Sequence, residues 1–104
     1  MKARKKINRE LRAKFASDIW SVYMVECADK TIYTGITNDV GARILKHNSG
    51  KGAKYTRARL PVKLKAVWKF NSKSASAKAE YAFKKLSRVQ KLRMIANKNK
   101  KISS

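Results

Sequence analysis

Acidic residues are few in this chain, and its second half has almost none. The 104 residues include 27 Lys and Arg against six Asp and Glu, for a formal net charge of +21. From Val40 to Ser104 a single acid, Glu80, stands among 19 basic residues. That half alone therefore cannot supply the several carboxylates that hold two metal ions. A charge of this size favours a polyanionic partner, with nucleic acid as the first candidate and an anionic membrane surface as the second.

Cysteine and long apolar runs are also scarce. The one cysteine, Cys27, excludes an internal disulfide and a cysteine-based zinc site, which fits a reducing compartment. No stretch approaches the 18 consecutive apolar residues of a membrane span, and the basic N-terminus lacks the apolar run of a signal peptide. We therefore expect a cytoplasmic protein that does not enter a membrane.

Hydrophobic periodicity divides the chain into three parts: a basic arm over 1–17, one domain over 18–96 and a basic tail over 97–104. In the arm, Ile7, Leu11 and Phe15 recur every four residues, as in a short helix. In the domain we predict strands over 19–27, 31–36 and 63–70, and helices over 39–48, 74–86 and from Arg88. This order predicts an α+β fold, a small three-stranded, mainly antiparallel sheet flanked by helices.

The first two predicted strands bring two tyrosines to one face of a hairpin. If the loop is residues 28–30, Val25 lies opposite Tyr33 and Tyr23 lies opposite Gly35. Side chains alternate between faces along a strand, so the two tyrosines become diagonal neighbours on the same face. Tyrosine is also a frequent packing residue in strands, so the pair alone does not establish a functional site.

The helix after the hairpin adds two further polar side chains. Thr37, Asn38 and Asp39 are good N-cap residues, and Arg43 and His47 lie four apart on one face of the helix that follows. Arg43 could be a solvated arginine, and His47 could simply interact with the helix dipole. Their pairing behind the hairpin favours a site made of two phenols, a guanidinium and an imidazole.

This order of elements resembles the core of the GIY-YIG nuclease superfamily, in particular its small single-domain UPF0213 or YhbQ-like group. The resemblance runs from about Trp20 to about Leu92, with Ser in place of the first Gly of the family name and Thr in place of the second Ile. It rests on Ser21-Val22-Tyr23, Tyr33-Thr34-Gly35, Arg43 and His47. It implies the ββαβαα fold, a structural role for Gly35 and catalytic roles for Tyr23, Tyr33, Arg43, His47 and Glu80.

The resemblance also implies a divalent metal ion, Mg²⁺, because it matches Glu80 to the metal-binding glutamate of the superfamily. One carboxylate with waters in the remaining positions suits a one-metal mechanism. Arg43 would then stabilise the non-bridging oxygens, and Tyr33 or Tyr23 would orient or deprotonate the water with help from His47. The residues leave open which phenol acts. They also leave open an ordinary ion pair between Glu80 and Lys84, worth about 0.2–0.5 kcal/mol.

Residues 49–59, SGKGAKYTRAR, form a glycine-rich basic segment without the spacing of a Walker loop. It could be a flexible solvated connection. The overall charge favours a second interpretation, a loop that contacts nucleic-acid phosphates and offers one aromatic ring. The residues that we expect to bind nucleic acid are Lys51, Lys54, Tyr55, Arg57 and Arg59.

The expected function is therefore a metal-dependent endonuclease that hydrolyses phosphodiester bonds of DNA. One alternative is a non-catalytic, basic nucleic-acid-binding module on the same fold. Another is a ribosome-associated or RNA-packing basic protein, although the chain lacks an RNA-reading aromatic motif such as RNP1.

Overall fold

Three strands and four α-helices make up the part of the chain that the computed structural model describes, residues 19–103. The predicted arm over 1–17 lies outside the described residues. The strands are β1 (Trp20–Glu26), β2 (Ile32–Thr37) and β3 (Lys63–Phe70). The helices are α1 (Val40–Lys46), α2 (Lys54–Arg57), α3 (Lys73–Lys84) and α4 (Arg88–Ser103), with a π turn at His47–Lys51 after α1.

The strands form one antiparallel sheet in the order β2-β1-β3. Val25 pairs with Tyr33 and Tyr23 pairs with Gly35, which confirms the register predicted from the sequence. The three-residue hairpin loop places Lys30 at φ 72°, the left-handed conformation that closes this type of loop. The α+β fold with a three-stranded antiparallel sheet is also confirmed.

Strand β1 is covered on both faces, as its apolar residues predict. Its four central residues, 22–25, are fully buried. One face belongs to a cluster that includes Tyr23 and Val62, against which Ile44 of α1 packs. The other face belongs to a second cluster that includes Met24 and Ile95 of α4. The sheet is therefore the middle layer, with α1 and α2 on one side and α3 and α4 on the other.

The helices begin where the sequence offers capping side chains. The Asp39 carboxylate accepts from the Ala42 N–H at 3.1 Å at the start of α1. Ser87 and Gln90 form a capping box at the start of α4, where the sequence predicts a helix from Arg88. The Ser87 side chain accepts from the Gln90 N–H at 3.2 Å, and the Gln90 side chain accepts from the Ser87 N–H at 2.8 Å. These caps fix where α1 and α4 leave the sheet.

Three predictions about the elements differ from the structure. The segment 49–59 is not an open loop, because it contains most of the π turn and the whole of α2. Helix α4 continues to Ser103, so the tail predicted from residue 97 is largely helical; no Gly or Pro interrupts the helix there. The apolar patterns of α1, β3 and α4 predict that Leu45, Leu64 and Val89 pack inward, but all three are exposed. The β1–β3 register shifts beside Leu64, which changes the alternation on β3.

No helix within residues 19–103 is long and apolar enough to cross a membrane.

Replacing Thr34 by Val is expected to stabilise the fold. The Thr34 Oγ1 atom is buried and has no hydrogen-bond partner among the described residues. Valine keeps the branched shape and removes a desolvated hydroxyl, so the free energy of unfolding should rise by about 1 kcal/mol. Thermal unfolding followed by circular dichroism should show a Tm higher by about 4–8 °C.

Thr37→Val is the matched control. The Thr37 hydroxyl donates to the Asp39 carbonyl and accepts from the Asp39 N–H, at 3.2 and 3.1 Å, so its removal should lower the Tm. A Tm for Thr34→Val that is equal to or below that of the unmodified protein would contradict the prediction.

Candidate active site

A short chain of hydrogen bonds joins β1 to α1 and the π turn. The Tyr23 hydroxyl lies 2.8 Å from His47 Nε2, and Arg43 Nε donates to the same hydroxyl at 3.3 Å. Tyr23 and His47 are both fully buried. The convergence of these three side chains, expected from their spacing along the chain, is thus realised in the folded protein.

A threonine of α2 determines the tautomer of His47, that is, which ring nitrogen carries the proton. His47 Nδ1 lies 2.8 Å from Thr56 Oγ1, and that hydroxyl donates to the Ala53 carbonyl at 2.9 Å. Because the hydroxyl hydrogen is used on Ala53, Thr56 must accept from His47, and Nδ1 carries the proton. Nε2 therefore presents a lone pair, which accepts the Tyr23 O–H.

Burial acts on both members of the Tyr23–His47 pair. Desolvation, and secondarily the charge of Arg43, lower the pKa of His47 below its ordinary value. Desolvation also raises the pKa of Tyr23, against the hydrogen bond and charge of Arg43. Because the folded state keeps His47 neutral, its contribution to stability is present above the unfolded pKa, about 6.5, and is lost as the pH falls.

Tyr33 stands at the more exposed side of this group. Its ring meets His47 edge-on, with 5.5 Å between centroids, and stacks on Tyr55 of α2 at 6.0 Å and 22°. The guanidinium of Arg59 covers the Tyr55 ring at 4.0 Å from its centroid. Tyr33 is half-buried whereas Tyr23 is fully buried, so the two phenols differ in their access to a ligand.

Two glycines make room for the buried rings. A Cβ at Gly35 would lie 2.6 Å from the Tyr23 hydroxyl oxygen, across the β1–β2 pair. A Cβ at Gly52 would lie 2.5 Å from His47 Nδ1 and 2.8 Å from its Cα. Any larger residue at either position would displace a ring of the Tyr23–His47 pair.

Glu80 of α3 lies near the same group. Its charge is one of the influences that raise the pKa of Tyr23, so the carboxylate acts within the electrostatic range of the phenol. Its Oε2 atom lies 3.4 Å from Lys84 Nζ, the ion pair considered above as its ordinary role. The Glu80 side chain is 21% exposed, so it remains open to a ligand.

The residues expected to bind nucleic acid divide into two kinds. Lys51 and Lys54 are exposed. Arg57 and Arg59 have internal partners: Arg57 Nε donates to the Gly52 carbonyl at 3.3 Å, and Arg59 bonds to Asp29 and to the Tyr55 carbonyl. The segment is held by these contacts, so it does not form the flexible connection considered as one alternative.

Sequence reasoning missed Thr56 and Gly52. Both were included in a basic segment that was interpreted only through its charges and its aromatic ring. The spacing is a signal for both residues. Gly52 and Thr56 follow His47 by five and nine residues, so a turn between them can bring both into contact with the imidazole ring. The turn itself, with Gly50 at φ 83°, was not foreseen.

The site residues fit an Mg²⁺ ion that is held by one protein carboxylate, and they do not fit a metal centre with several protein ligands. Within residues 19–103 no three His, Cys, Asp or Glu side chains are grouped so as to hold a metal ion. Mg²⁺ is commonly held by one or two carboxylates, several waters and substrate phosphates. The half-buried Glu80 carboxylate, whose described ion-pair partner is a lysine at the surface, is a suitable oxygen donor for that arrangement.

Comparison with known proteins gives the same family at three levels. Residues 19–93 match the GIY-YIG catalytic domain. A UPF0213 protein of Halobacterium salinarum is 54% identical over 70 residues, which cover 67% of this chain and 91% of that protein. A UPF0213 protein of Streptococcus agalactiae is 55% identical over 74 residues, covering 71% and 84%.

Two solution NMR structures are also similar. One is the UPF0213 protein BH0048 from Bacillus halodurans, at 50% identity and a TM-score of 0.51, covering 77% of this chain and 85% of that one. The other is the protein EF2693 from E. faecalis, at 41% identity and a TM-score of 0.54, covering 76% and 84%. The chain is thus a member of the GIY-YIG nuclease superfamily, and its relatives lie in the UPF0213 group.

Proposed function

We propose that this protein is an endonuclease that hydrolyses phosphodiester bonds of DNA with one divalent metal ion, Mg²⁺. The observation that carries the proposal is the convergence of Arg43, Tyr23 and His47 in one hydrogen-bonded group, with the Tyr33 ring against His47 and the charge of Glu80 acting on Tyr23. A solvated arginine and a histidine that merely ends a helix would not need this arrangement. The high positive charge supplies the attraction to a polyanion, and the single cysteine is consistent with the cytoplasmic location that we also propose.

Arg43 is the residue suited to the phosphate. Its Nε is engaged by Tyr23, which fixes the direction of the planar guanidinium. Its terminal nitrogens have no other hydrogen-bond or ion-pair partner within residues 19–103, and they can bind two non-bridging oxygens. Donors oriented in advance stabilise the charge that develops in the transition state.

Of the two phenols, Tyr33 is the one suited to contact the attacking water, because it is half-buried and Tyr23 is enclosed. Tyr23 acts from behind as a positioning residue for Arg43. Its hydrogen bond to His47 Nε2 fixes the position of the phenol oxygen that accepts from Arg43. The raised pKa of Tyr23 and the lowered pKa of His47 both favour the neutral forms, so the pair holds Arg43 without itself ionising.

Glu80 would hold the Mg²⁺ ion, which supplies positive charge to the phosphate and lowers the pKa of a bound water. Lys84 neutralises the same carboxylate in its absence. Phosphodiester hydrolysis with one carboxylate and one guanidinium requires few acidic residues, in agreement with the scarcity of acids in the chain.

The enclosed Tyr23 and the Glu80–Lys84 pair favour a second candidate, a non-catalytic module that binds nucleic acid on the same fold. In that case the group around His47 stabilises the domain and Glu80 makes a surface ion pair. The two candidate functions both predict binding of nucleic acid, but only the endonuclease predicts cleavage.

Arg43→Ala is expected to abolish cleavage and to leave most of the binding. Arg43 is one of 27 cationic residues, so its removal should change the electrostatic attraction to DNA only slightly. Loss of its contact to the transition state should lower the cleavage rate at least about 100-fold, as for one oxyanion-hole donor. Mg²⁺-dependent cleavage of a DNA panel and metal-free binding at one salt concentration measure the two effects. Lys46→Ala, an exposed cation on the same helix, is the control. Proportional losses of binding and cleavage would make Arg43 an ordinary phosphate contact.

Glu80→Gln separates the two candidate functions. The change keeps the size of the side chain and removes the charge that the ion requires, so cleavage should disappear. Metal-free DNA binding should hold or rise slightly, because a negative charge near phosphates is lost. Stability should change by at most about 0.5 kcal/mol, since Lys84 is half exposed. Cleavage that survives in Glu80→Gln at the same Mg²⁺ concentration would end the one-metal proposal.

Thr56→Val is expected to change the tautomer of His47. The variant leaves the buried Nδ1–H without an acceptor, so the proton should move to Nε2, and Tyr23 should lose its acceptor in turn. The free energy of unfolding should fall by about 1–3 kcal/mol. Because the chain has one histidine, the ¹⁵N shifts of the imidazole report the tautomer without ambiguity.

Thr56→Ser is the matched control, since it keeps the hydroxyl and should keep Nδ1 protonated. Cleavage should fall in Thr56→Val and recover in Thr56→Ser. Unchanged ¹⁵N shifts in Thr56→Val would show that Thr56 does not determine the tautomer.

A further inference from the structure

A cleft runs along the free edge of β2, next to the proposed active site. It has a volume of about 340 Å³. Residues from four elements line it: Ile32, Tyr33, Thr34, Tyr55, Lys84 and Lys91. Tyr33 also belongs to the group around His47, so the cleft and the proposed active site share a side chain and are contiguous.

The backbone at this edge presents unpaired donors. The Cys27 N–H donates to the Thr31 carbonyl at 2.9 Å, which makes residues 27 and 31 a hydrogen-bonded pair. In an antiparallel ladder such pairs alternate, so Tyr33 also turns its backbone groups toward β1, whereas Ile32 and Thr34 turn theirs away. No described strand pairs with the outer side of β2. The N–H and C=O groups of Ile32 and Thr34 therefore point to the outer side of β2, the side on which these two residues line the cleft.

Two lysines from different helices complete the lining, and none of the lining side chains is acidic. Lys84 ends α3, and Lys91 lies in the first turns of α4. Their charges act on each other, since Lys84 adds to the desolvation that lowers the pKa of Lys91. Lys84 has Glu80 as a partner at 3.4 Å, but no ion pair of Lys91 is found within residues 19–103. Two repelling cations beside free N–H groups are a site for an anion.

We propose that this edge cleft is a phosphate-binding subsite, which holds a nucleic-acid phosphate other than the one that is cleaved. The proposal rests on the proposed function for its ligand, and it names where the strand continues beyond the active site. Aromatic stacking of a base is not required, because the Tyr55 ring already lies between Tyr33 and Arg59. The ligand is an internal phosphodiester or the terminal phosphate of a strand end.

The experiment measures metal-free binding of the full chain to short DNA in which one neutral methylphosphonate linkage is moved along the strand. In the unmodified protein, affinity should fall roughly tenfold at 0.1 M salt when the neutral linkage occupies the cleft, the effect of one lost phosphate contact. Lys84→Gln with Lys91→Gln should lose sensitivity at that linkage and no other. Lys91→Gln alone, which leaves the Glu80 partner in place, should show a partial loss.

Lys63→Gln with Lys69→Gln is the matched control, because it removes the same charge from β3, at the opposite edge of the sheet. It should keep the position-specific sensitivity. Strands with a 5′-phosphate, a 3′-phosphate or hydroxyl ends distinguish the sources: tighter binding of one phosphorylated end indicates a terminal phosphate, and equal binding indicates an internal one. Unaltered sensitivity at every linkage in the Lys84/Lys91 variant would overturn the subsite.

The outcome is separable from that of the proposed function. A position-specific sensitivity to the neutral linkage that depends on Lys84 and Lys91, without any cleavage, would support the subsite and refute the nuclease. Cleavage without this sensitivity would support the nuclease and refute the subsite.

Discussion

The hydrogen bond between the Tyr23 hydroxyl and His47 Nε2 is the contact on which the site depends. It joins the central strand to the turn after α1, and both residues are completely enclosed. A buried phenol and a buried imidazole are costly to desolvate unless each polar atom has a partner. Arg43 supplies the second partner of the phenol, and Thr56 supplies that of the imidazole. The segment after α1 folds back and brings Thr56 to His47 as that second partner.

Space at this contact is as restrictive as hydrogen bonding. Gly35 on the neighbouring strand lies against Tyr23, Gly52 in the segment before α2 lies against His47, and neither position has room for a Cβ. This explains why a glycine closes the Tyr33-Thr34-Gly35 motif in this chain. Neither Ser21 nor Thr34 makes a side-chain hydrogen bond to Tyr23 or His47 among the described residues.

Apart from Arg43, which donates to Tyr23, the positive charge of the described residues lies around this neutral pair, and none of their Lys or Arg residues is fully buried. The described ion pairs of Asp29 with Arg59 and of Glu80 with Lys84 lie at the surface, where such pairs contribute little to stability. The cations thus have few acidic partners in the folded protein, which raises its self-repulsion and its attraction to polyanions. Arg59 is an informative exception, because it is held against Asp29 and the Tyr55 ring and orients that ring beside Tyr33.

The sequence by itself determined the hairpin, its register and the caps of α1 and α4. These features depend on contacts between residues close in the chain and on the period of two along a strand, so local patterns are sufficient. The same patterns placed Tyr23, Tyr33 and Gly35 on one face and Arg43 and His47 on one helix face. For these reasons the α+β fold and most of the candidate residues could be predicted.

The tertiary structure alone decided how the segment 49–59 is used. Its lysines and arginines indicated a phosphate-binding loop, but the fold of the π turn and α2 depends on Thr56 and Gly52 meeting His47, a contact between residues that follow no helix or strand period. The difference in burial between Tyr23 and Tyr33 was decided in the same way, because it depends on the strand order, which makes β1 with Tyr23 the central strand and β2 with Tyr33 an edge strand. Likewise Lys84 and Lys91 form one cleft with β2 only because α3 and α4 pack beside the same sheet edge, and no spacing along the chain records that proximity.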